Sequence, residues 1–457
     1  MEKNILVTGE TLTPEKFRHP SKEFGIMPFW FWNGEMSYDE IERQILQYKE
    51  KGCPGFYIHA RFGVREELGY MNEAWLDRVK FTIEKAQAEG LQIWIYDEYN
   101  WPSGTCGQTL MKDHPECTNV YLQLVDYELA GQYFTFMEGT DSRYNDLEQS
   151  EPVYACAIKT ENLKNGHYEI VDLMPSLSFD KVISWEAPKG PWRLMYFIER
   201  KSTWYADVLN PETTKKFIEY THDRYKAFLD GNFEEQVKGF FTDEPAMHYF
   251  ETGRNNYIIP WTKQMFRIFR ERNGYDLKKN LPKLFYDCGG DTEQVRYDFW
   301  STLTDQYQKS YFKPIADWCN ENRVIFTGHL LYEESLRMHS RVDGNLFRHY
   351  EHFDMMGVDH LYPRVGTREM ENEHVALKIA QSAAHQNGSP RLVRESLGGS
   401  YWDCTMERMK WIADWECVLG VNQLIPHGFH YTIEGERKRD WPPSMFLQFT
   451  WWEQYGL

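Results

Sequence analysis

Eight short apolar runs, separated by stretches of helical spacing and mostly ending at polar or ionisable residues, constrain this 457-residue chain more than any other feature. They lie at 28–34, 55–61, 91–98, 237–241, 324–329, 355–359, 391–395 and 421–426. Runs of that length bounded by turn signals read as buried strands. Eight strand–helix repeats are the pattern of an α/β fold, the (β/α)8 TIM-type barrel. The alternative is an open doubly wound sheet, but no Gly-x-Gly-x-x-Gly or Walker sequence follows a strand to favour it.

The helices carry their own punctuation. Ser37 and Glu40 match a capping box ahead of Ile41, Ile45 and Tyr48. Asn72 can cap the helix that ends near Gly90, and Asn210-Pro211 is a cap followed by proline at the first helical position. The rhythm changes after the third strand. Between residues 119 and 201 period-2 alternation and turn residues dominate, which predicts an inserted antiparallel β module, sandwich-like in character. The chain therefore divides into a first barrel part at 1–118, the insert at 119–201 and a second barrel part at 202–457. Residues 1–25 read as an entry arm, and 246–292 as a long polar and aromatic excursion, partly helical.

Charge narrows the partners. With 51 Lys+Arg against 69 Asp+Glu the net is −18, which argues against nucleic acid and anionic membranes. No stretch approaches the roughly 20 apolar residues needed to span a bilayer. Met1-Glu2-Lys3-Asn4-Ile5 lacks the pattern of a leader, so the chain as written reads as cytoplasmic, or extracytoplasmic if a leader has been removed. The eight cysteines form no Cys-x-x-Cys pair and read as reduced. Aromatic residues reach 16%, which serves packing and also suits stacking on sugars.

In such a barrel the carboxyl ends of the strands converge on one cleft. Here they bring Trp32, His59, Arg61, Asp97, Glu98, Trp101, Asp243, Glu244, His329, Glu333, Glu334, Asp359, His360, Glu395, His427 and His430. Glycoside hydrolysis needs one protonated carboxyl to protonate the leaving oxygen and one ionised carboxylate to attack or to activate water. Glu244, in Phe241-Thr242-Asp243-Glu244-Pro245, is the candidate acid, because burial and neighbouring acids favour its protonated form. Glu395 and Glu334 are the candidate bases; the alternative is that Glu395 pairs with Arg394 or Arg391 and that Glu333 and Glu334 cap a helix. Asp97, Glu98 and Asp243 can supply oxygens to Ca²⁺ or bind sugar hydroxyls. Trp101 and Trp402 can stack on a pyranose face, and His329, His360 and His427 suit hydroxyl binding better than zinc, for want of ligand spacing.

These motifs resemble a known family. Phe29-Trp30-Phe31-Trp32-Asn33-Gly34, Tyr96-Asp97-Glu98-Tyr99-Asn100-Trp101-Pro102-Ser103-Gly104, Phe241-Thr242-Asp243-Glu244-Pro245 and Pro426-His427-Gly428-Phe429-His430-Tyr431 resemble glycoside hydrolase family 106, the α-L-rhamnosidases, from about residue 25 onwards. The resemblance implies hydrolysis of terminal α-L-rhamnosides with inversion, Glu244 as acid and Glu334 or Glu395 as base. No cofactor is required for the chemistry, and the resemblance admits calcium as an assisting ion. It also implies β-sandwich domains beyond the barrel, and residues 451–457 lack the pattern of a final barrel helix. The alternatives are a retaining barrel glycosidase of other specificity, a non-catalytic carbohydrate-binding barrel and a metal-dependent isomerase or hydrolase.

Overall fold

The computed structural model describes residues 11–129, 133–137, 151–161, 163, 168–178, 182–248 and 257–456. Residues 1–5, read above for a leader, and parts of the entry arm, the insert and the 246–292 excursion lie outside them. Nine parallel strands form one sheet, in the order Gln423–Pro426, Leu392–Ser396, Met355–His360, Ile325–His329, Gly239–Asp243, Gln92–Tyr99, Gly55–Ala60, Phe29–Trp32 and Phe429–His430. The two end strands are consecutive in the chain, separated only by His427 and Gly428. The expected eighth strand is thus present as two halves, one paired with the seventh strand and one with the first. The sheet nearly closes into a barrel across that break.

Strand alternation decides what fills it. Successive side chains point to opposite faces, so Phe29, Phe31, Tyr57, Trp94, Tyr96 and Phe241 enter the barrel and pack together. Phe29 meets Phe241 edge to face at 5.0 Å. Trp30 and Trp32 take the other parity. Trp30 donates to Gln44 at 2.8 Å, and Trp32 packs 4.9 Å from the ring of Trp75. Much of the aromatic content therefore fills the interior and the helix interface.

Strands four and five approach closely at Gly328. Its φ is +144°, and an added Cβ would lie 2.0 Å from the carbonyl oxygen of Thr242. Only glycine fits there, immediately before His329. The helix starts at Asn72 and Asn210 are capped by those side chains, accepting from Trp75 N at 2.8 Å and Glu212 N at 3.1 Å. The capping box at Ser37 does not form. Glu40 turns instead to Arg43 and Gln44, because two donors stand one helical turn along the chain.

A five-stranded antiparallel sheet follows the third barrel strand, in the order Ile258–Trp261, Thr118–Leu129, Trp192–Ala206, Glu151–Lys159, Ile170–Asp172. A two-stranded ribbon, Tyr133–Met137 with Val182–Glu186, accompanies it. Its edge strand Ile258–Trp261 comes from the 246–292 excursion, beyond the fourth barrel strand. After Phe429–His430 the described residues contain no α-helix; Phe446, Trp452 and Tyr455 cover Phe429. All eight cysteines are free thiols, and no described helix is long and apolar enough to cross a membrane.

Candidate active site

A cavity of about 500 Å³ opens at the carboxyl ends of the strands. Strand ends and the loops after them supply Arg61, Trp101, Asp243, Glu244, Glu333, Glu334, Asp359, His360, Glu395 and His427. Among the described residues eight carboxyl groups line it, with Glu373 and Asp440 added.

Behind its lining residues Asp243, Glu333 and Glu395 sits His329, 1% exposed. Its Nε2 is 2.8 Å from Glu395 Oε2 and 3.4 Å from Asp243 Oδ1, and its Nδ1 is 3.7 Å from Glu333 Oε1. Burial opposes a charged imidazole. The carboxylates of Asp243, Glu395 and Glu333 outweigh that cost and hold His329 well above the usual histidine range. One imidazolium thus ties the fourth strand to the seventh. Burial pushes Glu395 up to about 7 and Asp243 adds to it, while the hydrogen bond and charge of His329 pull back. Above that pH the Glu395 carboxylate is ionised. The expected alternative of Glu395 pairing with Arg394 or Arg391 does not hold, since Arg394 pairs with Glu416 at 3.1 Å and Arg391 with Glu23 at 3.2 Å.

Glu244 follows directly on strand four. Its φ is +46°, a left-handed conformation that costs a non-glycine residue on the order of 1 kcal/mol. Its N–H donates to His329 O at 3.2 Å, and its Oε2 accepts from the Trp101 indole at 2.5 Å. Burial first, then the charges of Asp243, Asp359 and Glu333, keep the Glu244 carboxyl well above the carboxylate range despite His329. Of the two candidate roles this direction suits the acid, which must carry a proton.

Asp243 accepts from Tyr96 Oη at 2.5 Å, and the loop residue Ser103 bonds its backbone in both directions, at 2.8 and 2.9 Å. Glu333 turns back to accept from Leu330 N at 2.8 Å, and burial lifts it to about 8. It caps no following helix; Ser335 does that, accepting from Met338 N. Arg61 is held bidentately by Asp440 at 2.8 and 2.9 Å. His360 Nδ1 lies 2.9 Å from Glu373, which also pairs with Arg364 at 2.7 Å.

Several expected site residues stand elsewhere. Trp32 has the outward parity and lies against Trp75. His59 is fully buried under the cavity, stacked on Tyr96 at 3.5 Å. Asp97 also points away from the cavity, taking the Ser103 hydroxyl at 2.5 Å. Glu98 accepts from the backbone N–H groups of Tyr99, Thr105, Cys106 and Gly107, so it shapes the Trp101 loop instead of meeting a ligand. Trp402, 40% exposed, stacks on Phe449 outside the cavity lining. Sequence reasoning missed Asp440, Glu373, Tyr332, Tyr362 and Trp441 as cavity residues. A polar residue opposite an arginine in the fold leaves no local signal.

With Asp97 and Glu98 engaged, the expected calcium trio is not assembled. Among the described residues, Asp243, Glu244 and His329 have donor atoms within 4.8 Å of one another. Calcium takes six to eight oxygens, and here an imidazole already bound to Glu395 stands in place of oxygen. These donors do not by themselves fit calcium.

Comparison with known proteins gives three findings. A family model described as alpha-L-rhamnosidase, Glyco_hydro_106, matches residues 143–447. A curated relative from Formosa agariphila, named "Putative beta-glucuronidase", is 22% identical over 516 aligned positions. That alignment covers 99% of this chain and 41% of the relative. The solved rhamnosidase from Novosphingobium sp. PP1Y superposes with a TM-score of 0.66 at 16% identity, over 98% of this chain and 59% of its own. The chain thus spans about two fifths and three fifths of those two proteins, and the likeness to the solved structure is one of fold.

Proposed function

The chain belongs to glycoside hydrolase family 106, the alpha-L-rhamnosidase family, and on that premise we propose that it hydrolyses terminal α-L-rhamnosides of glycans with inversion. Glu244 protonates the leaving oxygen. Glu395 is the base that takes a proton from the attacking water, with Glu334 the other candidate in the same cavity. The observation that carries this assignment is the division of charge: a proton-holding Glu244 on one wall and, from another, a Glu395 carboxylate fixed by His329. Carboxyl groups pushed apart in this way are what glycoside cleavage needs. In an inverting enzyme water enters between the two carboxyls; its oxygen bonds to the anomeric carbon as the bond to the leaving oxygen breaks.

The electrostatics favour a neutral sugar such as rhamnose over a uronic acid. Arg61, Arg364 and Arg394 each already face a carboxylate, and among the described residues no other arginine lines the cavity. A substrate carboxylate would meet the eight described acids with each of these three arginines already engaged. Among the described residues the cavity offers no unengaged arginine for the uronic acid that the relative's name, beta-glucuronidase, would require.

A panel of aryl glycosides tests the reading. Release from the α-L-rhamnoside, with the β-anomer of the sugar as first product by proton NMR, is the expected result. An α-anomer first would mean retention, and release only from other glycosides would overturn the rhamnosidase assignment.

A further inference from the structure

A second cavity, about 890 Å³, lies apart from the first and shares none of its lining residues. One wall is a face of helix Thr292–Tyr307, which presents Tyr297, Trp300 and Ser301 at helical spacing. The facing wall is helix Leu336–Val342 with the following loop and helix Leu346–Tyr350. Among the described residues five arginines line it, Arg272, Arg296, Arg337, Arg341 and Arg348, against one carboxylate, Asp305. In a chain of net charge −18 such a concentration is out of keeping with the rest of the molecule.

Of the five, two pair with carboxylates of described residues. Arg272 pairs with Asp305 at 2.9 Å and Arg348 with Glu351 at 2.8 Å. Arg296 donates to the carbonyl of Lys283 at 2.8 Å, and Arg341 to that of Ile258 at 3.2 Å. Arg337 has no carboxylate partner among the described residues. It stands one helical turn from Arg341, a like-charge spacing that weakens a helix. Beside the guanidinium groups are Tyr297, 69% exposed, and half-buried Trp300. Guanidinium forks match planar or tetrahedral oxyanions, and aromatic faces match sugar rings.

We propose that this cavity is a second glycan-binding site, for an oligosaccharide carrying carboxylate or sulfate groups. Helix Leu336–Val342 begins two residues after Glu334, so one connection joins the two cavities. The proposal stands whichever glycosidic bond the first cavity cleaves.

Calorimetry with three tetrasaccharides tests it: tetragalacturonate for carboxylate, a carrageenan tetrasaccharide for sulfate, and neutral cellotetraose, each run on the unmodified protein and on variants of this cavity's own residues. The expected result is binding of at least one charged tetramer and none of the neutral one; which charged tetramer binds identifies the oxyanion. Arg337→Glu should weaken that binding at least about tenfold, the loss of one charge-assisted contact, and Tyr297→Ala should weaken it too. If Arg337→Glu does not fold by circular dichroism, Arg337→Gln replaces it. No binding of either charged tetramer, equal binding of the neutral one, or affinity unmoved by both substitutions would overturn the proposal.

Discussion

Nε2 of His329 stands 2.8 Å from Oε2 of Glu395, a buried contact between the fifth and seventh barrel strands. It makes the charge of one residue a condition of the other's. If Glu395 is the base, activity rises as it ionises, near pH 7, and falls again where Glu244 loses its proton, well above the ordinary carboxylate range. The pH profile of kcat/KM is then a bell with its acid limb near pH 7. His329→Gln removes the positive charge that favours the carboxylate, so that limb should move to higher pH. A limb that stays in place would detach His329 from the base.

Replacing the acid separates it from the base. Glu244→Gln should lower kcat by about 10²–10⁴-fold on substrates with poor leaving groups. The loss should be far smaller for dinitrophenyl glycosides, whose leaving group needs no proton. Glu395→Gln should slow both substrate types alike. Comparing the same pair of substrates on Glu334→Gln decides which glutamate is the base; an equal loss on both for Glu334, with Glu395→Gln active, reverses the assignment.

The barrel was legible because its signal is local: apolar runs of strand length, and helix starts at Asn72 and Asn210 whose caps form as the residue types require. The convergence of Asp243, Glu244, Glu334 and Glu395 follows from topology alone once the strands are counted. Parity was harder. Trp32 and Asp97 sit at strand ends like true cavity residues, yet their outward parity takes them to the helix side or the loop. The pairing of strands two and three also shifts register between Ile58 and Ala60, so parity cannot simply be extended along the third strand. Asp440 meets Arg61 across nearly the whole chain, and no periodicity in the sequence encodes such a contact.

The loop bearing Trp101 depends on one buried carboxylate. Glu98 accepts four backbone N–H groups, from Tyr99, Thr105, Cys106 and Gly107. Glu98→Ala leaves them unpaired in the interior, at a cost of about 1–3 kcal/mol each before relaxation. A net loss of at least about 3 kcal/mol in urea unfolding is expected, with faster proteolysis at residues 99–107. A loss below about 1 kcal/mol would mean the loop is held by other contacts.

Two buried carboxyls should contribute less to stability as pH rises. Burial pushes Asp207 and Glu416 each to about 7. Between about pH 4 and 7 the folded chain therefore keeps protons that the unfolded chain has released. The contribution of these two groups then declines with pH through that window and levels off above it. Asp207→Asn stays neutral and can still bond Thr262 and Leu209, which lie 3.0 and 3.1 Å away. Relative to the unmodified protein its Tm should rise at pH 8, on the order of 2–4 °C, and change little at pH 4. Equal shifts at both pH values would remove Asp207 from the titration.

Trp101 joins binding to proton transfer. It is 49% exposed on the cavity rim, and its indole N–H donates to Glu244 Oε2 at 2.5 Å. A donor to a carboxylate favours the ionised form, so Trp101→Phe should raise the Glu244 pKa further and move the alkaline limb of the profile upward. The phenyl ring keeps an aromatic face, and KM should change little while kcat drops about tenfold, as for a lost hydrogen bond to the carboxylate that forms as Glu244 gives up its proton. Trp101→Ala removes the face as well and should raise KM. The split between the two variants carries the argument: if Phe and Ala behave alike in KM, the ring does not stack on the sugar, and if neither moves the alkaline limb, the group titrating there is not Glu244.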